Sequence, residues 1–130
     1  MKQNAKVLVV EDEPLIRFDL SDHLTQEGYL VLEATNAAEA FELLDSDEDV
    51  GFMITDIDMP GPVDGLILAK FATERWPVIR IIVISGQQKP AMTDLPDGSV
   101  FLSKPYEFSY ISRLMGNWAE DLGAAKSSPV

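Results

Sequence analysis

Phe52-Met53-Ile54-Thr55-Asp56-Ile57-Asp58-Met59-Pro60 is an apolar run that ends abruptly in two acids and a turn. A run of this length bounded by turn residues fits a buried strand of a parallel sheet. Open parallel sheets place their chemistry in the crevice outside the carboxyl ends of the strands. Asp56 therefore belongs at the rim of such a crevice, where a carboxylate serves as nucleophile, metal ligand or both.

The segments on either side repeat the pattern. Lys6-Val7-Leu8-Val9-Val10 reads as a buried strand and runs into three acids, Glu11-Asp12-Glu13. Pro14 suits the first turn of a helix, and Ile16, Leu20 and Leu24, with Leu15 alongside, give residues 14–27 an apolar stripe closed by Gly28. Leu30 to Ala34 is a second strand. Asn36 with Glu39 resembles a capping box opening a helix over residues 37–44. Asp45-Ser46-Asp47-Glu48-Asp49 reads as a solvated acidic connection. Beyond the central strand, Pro60-Gly61-Pro62-Val63-Asp64-Gly65 is a turn-rich loop, and Leu66 to Trp76 a helix that stops before Pro77. Val78 to Ile84 is a fourth strand, ending in Ser85-Gly86. Residues 87–98 contain Pro90, Pro96 and a glycine, so a helix there is short and poorly specified. Ser99 to Leu102 is a fifth strand ending in Ser103-Lys104-Pro105. Ile111, Leu114, Met115, Trp118 and Leu122 mark a last amphipathic helix, with Met115 and Trp118 in the core.

Strand and helix thus alternate five times, which implies an α/β three-layer sandwich with a five-stranded parallel sheet. The 130 residues, 46 % hydrophobic, make one globular domain. The absence of cysteine excludes disulfides and thiolate-held metals and fits the cytoplasm. No apolar run approaches the ~18 residues of a membrane span. A net charge of −12 argues against direct binding of nucleic acid or an anionic membrane and leaves room for cations or a basic protein. His23, the single histidine, reads as a solvent-facing or helix-packing residue.

Four of the five strands end in a chemically capable residue: Glu11 and Asp12, Asp56, Ser85, and Lys104. The alternation brings these ends to one edge of the sheet. Three acids crowded together require a cation or protons, and all-oxygen ligation without histidine favours Mg²⁺. With Lys104 and the Ser85 hydroxyl nearby, the set provides what a loose phosphoryl-transfer transition state needs, namely positioned positive charge and donors.

The chain resembles a response-regulator receiver domain from two-component signalling. Val9-Val10-Glu11-Asp12-Glu13-Pro14 looks like that family's acidic pair. Asp56-Ile57-Asp58-Met59-Pro60 with Asp64-Gly65 resembles its phosphoacceptor segment, Ser85-Gly86 its hydroxyl step, and Lys104-Pro105 its lysine–proline pair. The resemblance covers residues 5–122, with 123–130 as a flexible tail. It implies the flavodoxin-like strand order 2-1-3-4-5. It implies that Asp56 accepts phosphate from a sensor histidine kinase or a histidine phosphotransfer protein. Glu11, Asp12 and Asp56 would hold Mg²⁺, joined by the backbone carbonyl of Asp58. Lys104 would contact the phosphoryl group, Ser85 would move toward it, and Phe101 would turn inward as the aromatic switch. Pro60, Gly65 and Pro105 shape the loops. The chain would then be no enzyme beyond its own phosphorylation and dephosphorylation, and would signal to a downstream protein target through a protein-binding face, with homodimerisation open. It departs from the family in two places. Pro62 adds a residue to the loop after Met59, and the segment between Ser85 and Lys104 is shortened, so the fourth of the family's five helices is short or distorted. Two rival readings are a binding module that kept the fold but lost phosphorylation, and an aspartyl phosphatase of the haloacid-dehalogenase type using Asp56 and Asp58. The second is opposed by Pro60, which stands where that motif has threonine or valine, and by the lack of a cap domain.

Overall fold

The computed structural model describes residues 5–47, 49–86 and 94–127, with side chains to residue 118. Five strands, β1 (Lys6–Val10), β2 (Leu30–Ala34), β3 (Val50–Asp56), β4 (Arg80–Ser85) and β5 (Val100–Ser103), form one sheet in the order β2-β1-β3-β4-β5. All neighbours pair in parallel. The sheet is sandwiched by helices α1 (Pro14–Gln26), α2 (Ala37–Ser46), α3 (Gly65–Arg75) and α4 (Phe108–Ser127).

The two faces of the sheet follow from the period-two alternation of strand side chains. Leu8, Val10, Met53, Ile81 and Val83 face one way and pack with Ala40 and Leu44 of α2 and Leu68, Ala69 and Ala72 of α3. Val7, Val9, Phe52, Ile54, Ile82 and Ile84 face the other way and meet Leu20 and Leu24 of α1 and Ile111 and Met115 of α4. The central strands are covered on both faces, which is why they read as continuous apolar runs rather than alternating ones.

Some local expectations shift. Leu15 is 79 % exposed, not part of the buried stripe of α1; the second buried contact beside Leu20 is Ser21. Trp118 is half-buried and stacks on Phe52 at 6.2 Å. Glu39 accepts from the Thr35 backbone N–H at 2.7 Å and hydroxyl at 2.8 Å, one residue earlier than a capping box requires, while its own N–H donates to Asn36 Oδ1. Strand β4 begins at Arg80, because Val78 is left 78 % exposed in the turn after α3. The shortened helix expected over residues 87–98 falls largely outside the described residues. Asp94 to Ser99 form turns, with the Ser99 N–H and hydroxyl both donating to the Pro96 carbonyl. At the other end, α4 runs through Ser127, into the segment read as a tail.

The acidic stretch from Asp45 to Asp49, which begins in the last turn of α2, is more than solvated. Asp47 takes the Lys6 ammonium at 2.9 Å and Asp45 takes Arg75 at 2.8 Å. His23 packs between helices: its Nε2 lies 2.7 Å from the Ser112 hydroxyl and its ring rests against Phe108.

Candidate functional site

The carboxyl ends of β1, β3, β4 and β5 share one rim, as parallel pairing dictates. Backbone register carries on past the strands: the Ile57 N–H donates to the Ile84 carbonyl at 2.8 Å, and the Lys104 N–H to the Ser85 carbonyl at 3.0 Å. Residues far apart in sequence are thereby locked side by side before any side-chain chemistry acts.

On this rim Glu11, Asp12 and Asp56 each offer a carboxylate oxygen, all within 4.8 Å of one another. Glu11 and Asp56 are buried, at 5 % exposure each. Lys104 Nζ reaches both, at 3.0 Å to Asp56 Oδ2 and 3.3 Å to Glu11 Oε1. One ammonium therefore serves two buried carboxylates, and a third stands beside them. Burial, with the Asp56 charge adding to it, pushes the Glu11 carboxyl up to about 7, against the opposing Glu13 N–H bond and Lys104. Lys104 is held above the ordinary lysine range: burial opposes its charge, but the hydrogen bond and charge of Asp56, followed by Glu11, outweigh it.

The remaining expected residues occupy defined places. Ser85 is buried, and its hydroxyl donates to Asp58 Oδ2 at 3.1 Å. The Asp58 N–H donates to Asp56 Oδ1 at 3.2 Å. The Asp58 side chain thus meets Ser85, and it is not among the three carboxylates gathered on the rim. Pro60 is exposed in the loop beyond. Gly65 is buried with no room for a side chain: a Cβ there would stand 1.9 Å from the Asp56 carbonyl oxygen. Pro105 follows a cis peptide bond after Lys104. Phe101 is half-buried against the core on the α2–α3 side.

Several supporting contacts were not anticipated. Asp64 caps α3, its Oδ1 accepting from the Leu66 and Ile67 N–H groups at 3.0 Å each; an aspartate just before a helix is a readable cap signal that the turn-rich loop obscured. Arg17 donates from Nη1 to the Glu11 carbonyl at 2.9 Å and from Nε to Glu33 at 3.0 Å, and so ties α1 to the acidic turn. No sequence signal marks it, because one partner is a backbone oxygen. Tyr106 borders the site in an open cleft of about 420 Å³ with Ile16, Asp19, Gly86 and Lys104. Burial raises its phenol to about 12, opposed by Lys104 and assisted by Glu11 and Asp56.

A parallel sheet in this order, carrying an acid cluster and a lysine on its carboxyl rim, defines a receiver-type α/β domain. The family model for the response regulator receiver domain matches residues 7–113, and the chain belongs to that family. It is 36 % identical over 104 residues to the response regulator receiver protein CpdR of Brucella abortus, covering 78 % of this chain and 85 % of that one. It is 37 % identical over 107 residues to the chemotaxis protein CheY1 of Helicobacter pylori, covering 78 % and 86 % respectively. The response regulator TrrA of Thermotoga maritima, solved in complex with Mg²⁺-BeF, superposes with a TM-score of 0.74 at 26 % identity over 87 % of this chain and 97 % of that one.

The donor set fits a small hard cation. It is all oxygen, it brings three carboxylates together, and burial, with the Asp56 charge beside it, holds one of them well above its ordinary range. Among the described residues no helix is long and apolar enough to cross a membrane.

Proposed function

We propose that Asp56 accepts a phosphoryl group from a phosphohistidine, on a sensor histidine kinase or a histidine phosphotransfer protein. One observation carries this reading: Lys104 Nζ bridges the two buried carboxylates Asp56 and Glu11, with Asp12 completing the cluster. A carboxylate oxygen of Asp56 forms the new P–O bond while the P–N bond to the donor imidazole breaks. The imidazole leaves with the bonding electron pair and takes up a proton. Lys104 keeps its ammonium beside the attacked phosphorus and offsets charge on a phosphoryl oxygen. The Ser85 hydroxyl exchanges its hydrogen bond with Asp58 for one with a second phosphoryl oxygen. Mg²⁺ held by Glu11, Asp12 and Asp56 with the Asp58 carbonyl would neutralise the remaining phosphoryl charge, and the Mg²⁺-BeF held by TrrA supports such an ion here.

Movement of Ser85 frees space toward β5, and Phe101 turns inward, altering a protein-binding face that a downstream target reads. The chain acts on no substrate beyond its own aspartyl phosphate and works in the cytoplasm. The test is phosphotransfer from a panel of autophosphorylated kinases. Label should move to the wild-type chain from at least one kinase and never to Asp56→Asn. Equal labelling of that variant overturns the assignment.

A further inference from the structure

The face of α2 and α3 remote from the Lys104 side of the site carries an apolar groove. One stretch, about 420 Å³, is lined by Ala37, Ala38, Phe41, Pro60, Pro62 and Val63. A second, about 300 Å³, shares Phe41 and Val63 and continues past Phe71 to Trp76, and the Arg75 cation on its lining is paired with Asp45 at 2.8 Å. Phe71 is 55 % exposed, and Ile67, one turn earlier on α3, is 39 % exposed. Phe41 and Phe71 meet edge to face at 5.8 Å, so the groove has a preformed aromatic floor. Large apolar side chains left in one contiguous furrow mark an interaction surface rather than scattered exposure.

The other flank of α2 is acidic. Glu33, Glu39 and Glu42 line a shallow groove there, and Thr35 holds the Glu39 carboxyl below its ordinary range, keeping it ionised. An apolar furrow and an acidic one therefore lie on either side of a single helix. That pairing selects the occupant. A second copy of this chain, at a net charge of −12, would bring like charge against α2. A segment with apolar residues at helical spacing and lysine or arginine on the adjoining face meets both furrows at once.

We propose that the α2–α3 face docks a basic amphipathic helix of a partner protein, with its apolar stripe on Phe41, Val63 and Phe71 and its cations over Glu39 and Glu42. The surface requires no phosphorylation to exist. It adjoins Pro60 to Val63, the loop that directly follows Asp58.

The test uses the full chain and two designed helical peptides of the same pattern, one of leucine and lysine, the other of leucine and glutamate. Amide chemical-shift mapping locates the site and titration gives affinity. The leucine–lysine peptide should shift residues around Ala38, Val63 and Phe71, and the leucine–glutamate peptide should not bind. Phe71→Asp is the deciding variant, because Phe71 is a surface residue and the change makes the chain more negative. Attraction by charge alone would be unchanged or stronger in Phe71→Asp, and that result overturns the proposal. Docking in the groove should weaken about tenfold or more. Glu42→Lys should also weaken binding. Shifts centred on α1 instead, or a wild-type dimer in sedimentation that Phe71→Asp dissolves, would assign the face otherwise and overturn the proposal too.

Discussion

The two ends of the sheet carry nearly the same charges and use them in opposite ways. At the amino end, Lys6 pairs with Asp47 at 2.9 Å and lies 3.9 Å from Asp49. At the carboxyl end, Lys104 pairs with Asp56 at 3.0 Å and Glu11 at 3.3 Å. The difference is burial. The side chains of Asp47 and Asp49 are 22 % and 84 % exposed, and those of Glu11 and Asp56 are 6 % and 5 % exposed. Water screens the first group, so Lys6 lowers the Asp47 carboxyl range through its hydrogen bond and each partner stabilises the other. The second group is shielded from water, and a single lysine is too little for it. Glu11 answers by holding a proton up to about pH 7. One end is an ordinary fastening, whereas the other carries three carboxylates beside one lysine, a balance that favours a cation.

Glycine substitutions draw the sharpest contrast. Gly65→Ala would push a methyl group against the Asp56 backbone and should cost about 3 kcal/mol or more in chemical denaturation. Gly51→Ala, at the amino end, meets its nearest neighbour, the Lys6 carbonyl oxygen, at 3.9 Å and should be tolerated. Equal losses would show that the crowding at Gly65 has been relieved by a local shift.

Charge removal comes next in size. Glu11→Gln eliminates a charge whose burial is only partly offset by Lys104 and the Glu13 N–H, and should raise apo stability at pH 8 by on the order of 1–2 kcal/mol, while weakening Mg²⁺ binding. Asp47→Asn should go the other way, by a smaller amount, in the same thermal melts. If both substitutions destabilise, the carboxyl end is a fastening as well.

The titration of Glu11 has a definite sign. Its carboxyl lies near 7 in the folded chain against an ordinary 4.5. Between those values the folded state holds more protons than the unfolded one. Apo stability therefore falls as pH rises from about 4.5 to about 7 and then levels off. Mg²⁺ competes with that proton, so its affinity, read by calorimetry, should rise from pH 6 to pH 8 and flatten in Glu11→Gln.

The smallest expected effect is at Asp58. Asp58→Asn keeps an acceptor for Ser85 and leaves the backbone intact, so the phosphorylation rate should change by no more than about tenfold. Complete loss would favour a general-acid role for this side chain, as in an aspartyl phosphatase.

Much of this was legible because parallel sheets impose it. Apolar runs ending at Val10, Thr55, Ile84 and Leu102 fixed four strands, and alternation alone put Glu11, Asp56, Ser85 and Lys104 on one rim. What stayed hidden depends on contacts between distant surfaces. Nothing local distinguishes Asp47, which meets Lys6 across 41 residues, from a solvated loop acid. Nothing distinguishes Leu15 from its buried neighbours until the angle of α1 on the sheet is known. The hold of Asp58 on Ser85 spans 27 residues and depends on side-chain direction, which spacing does not encode.

The most direct measurement is intact-mass analysis after incubation with a small acyl phosphate and Mg²⁺. A single base-labile phosphoryl adduct should form at Asp56, fail to form when Mg²⁺ is chelated beforehand, and be absent from Asp56→Asn. No adduct on the wild-type chain, or one that maps to another residue, would contradict the assignment of this rim as a phosphoacceptor site.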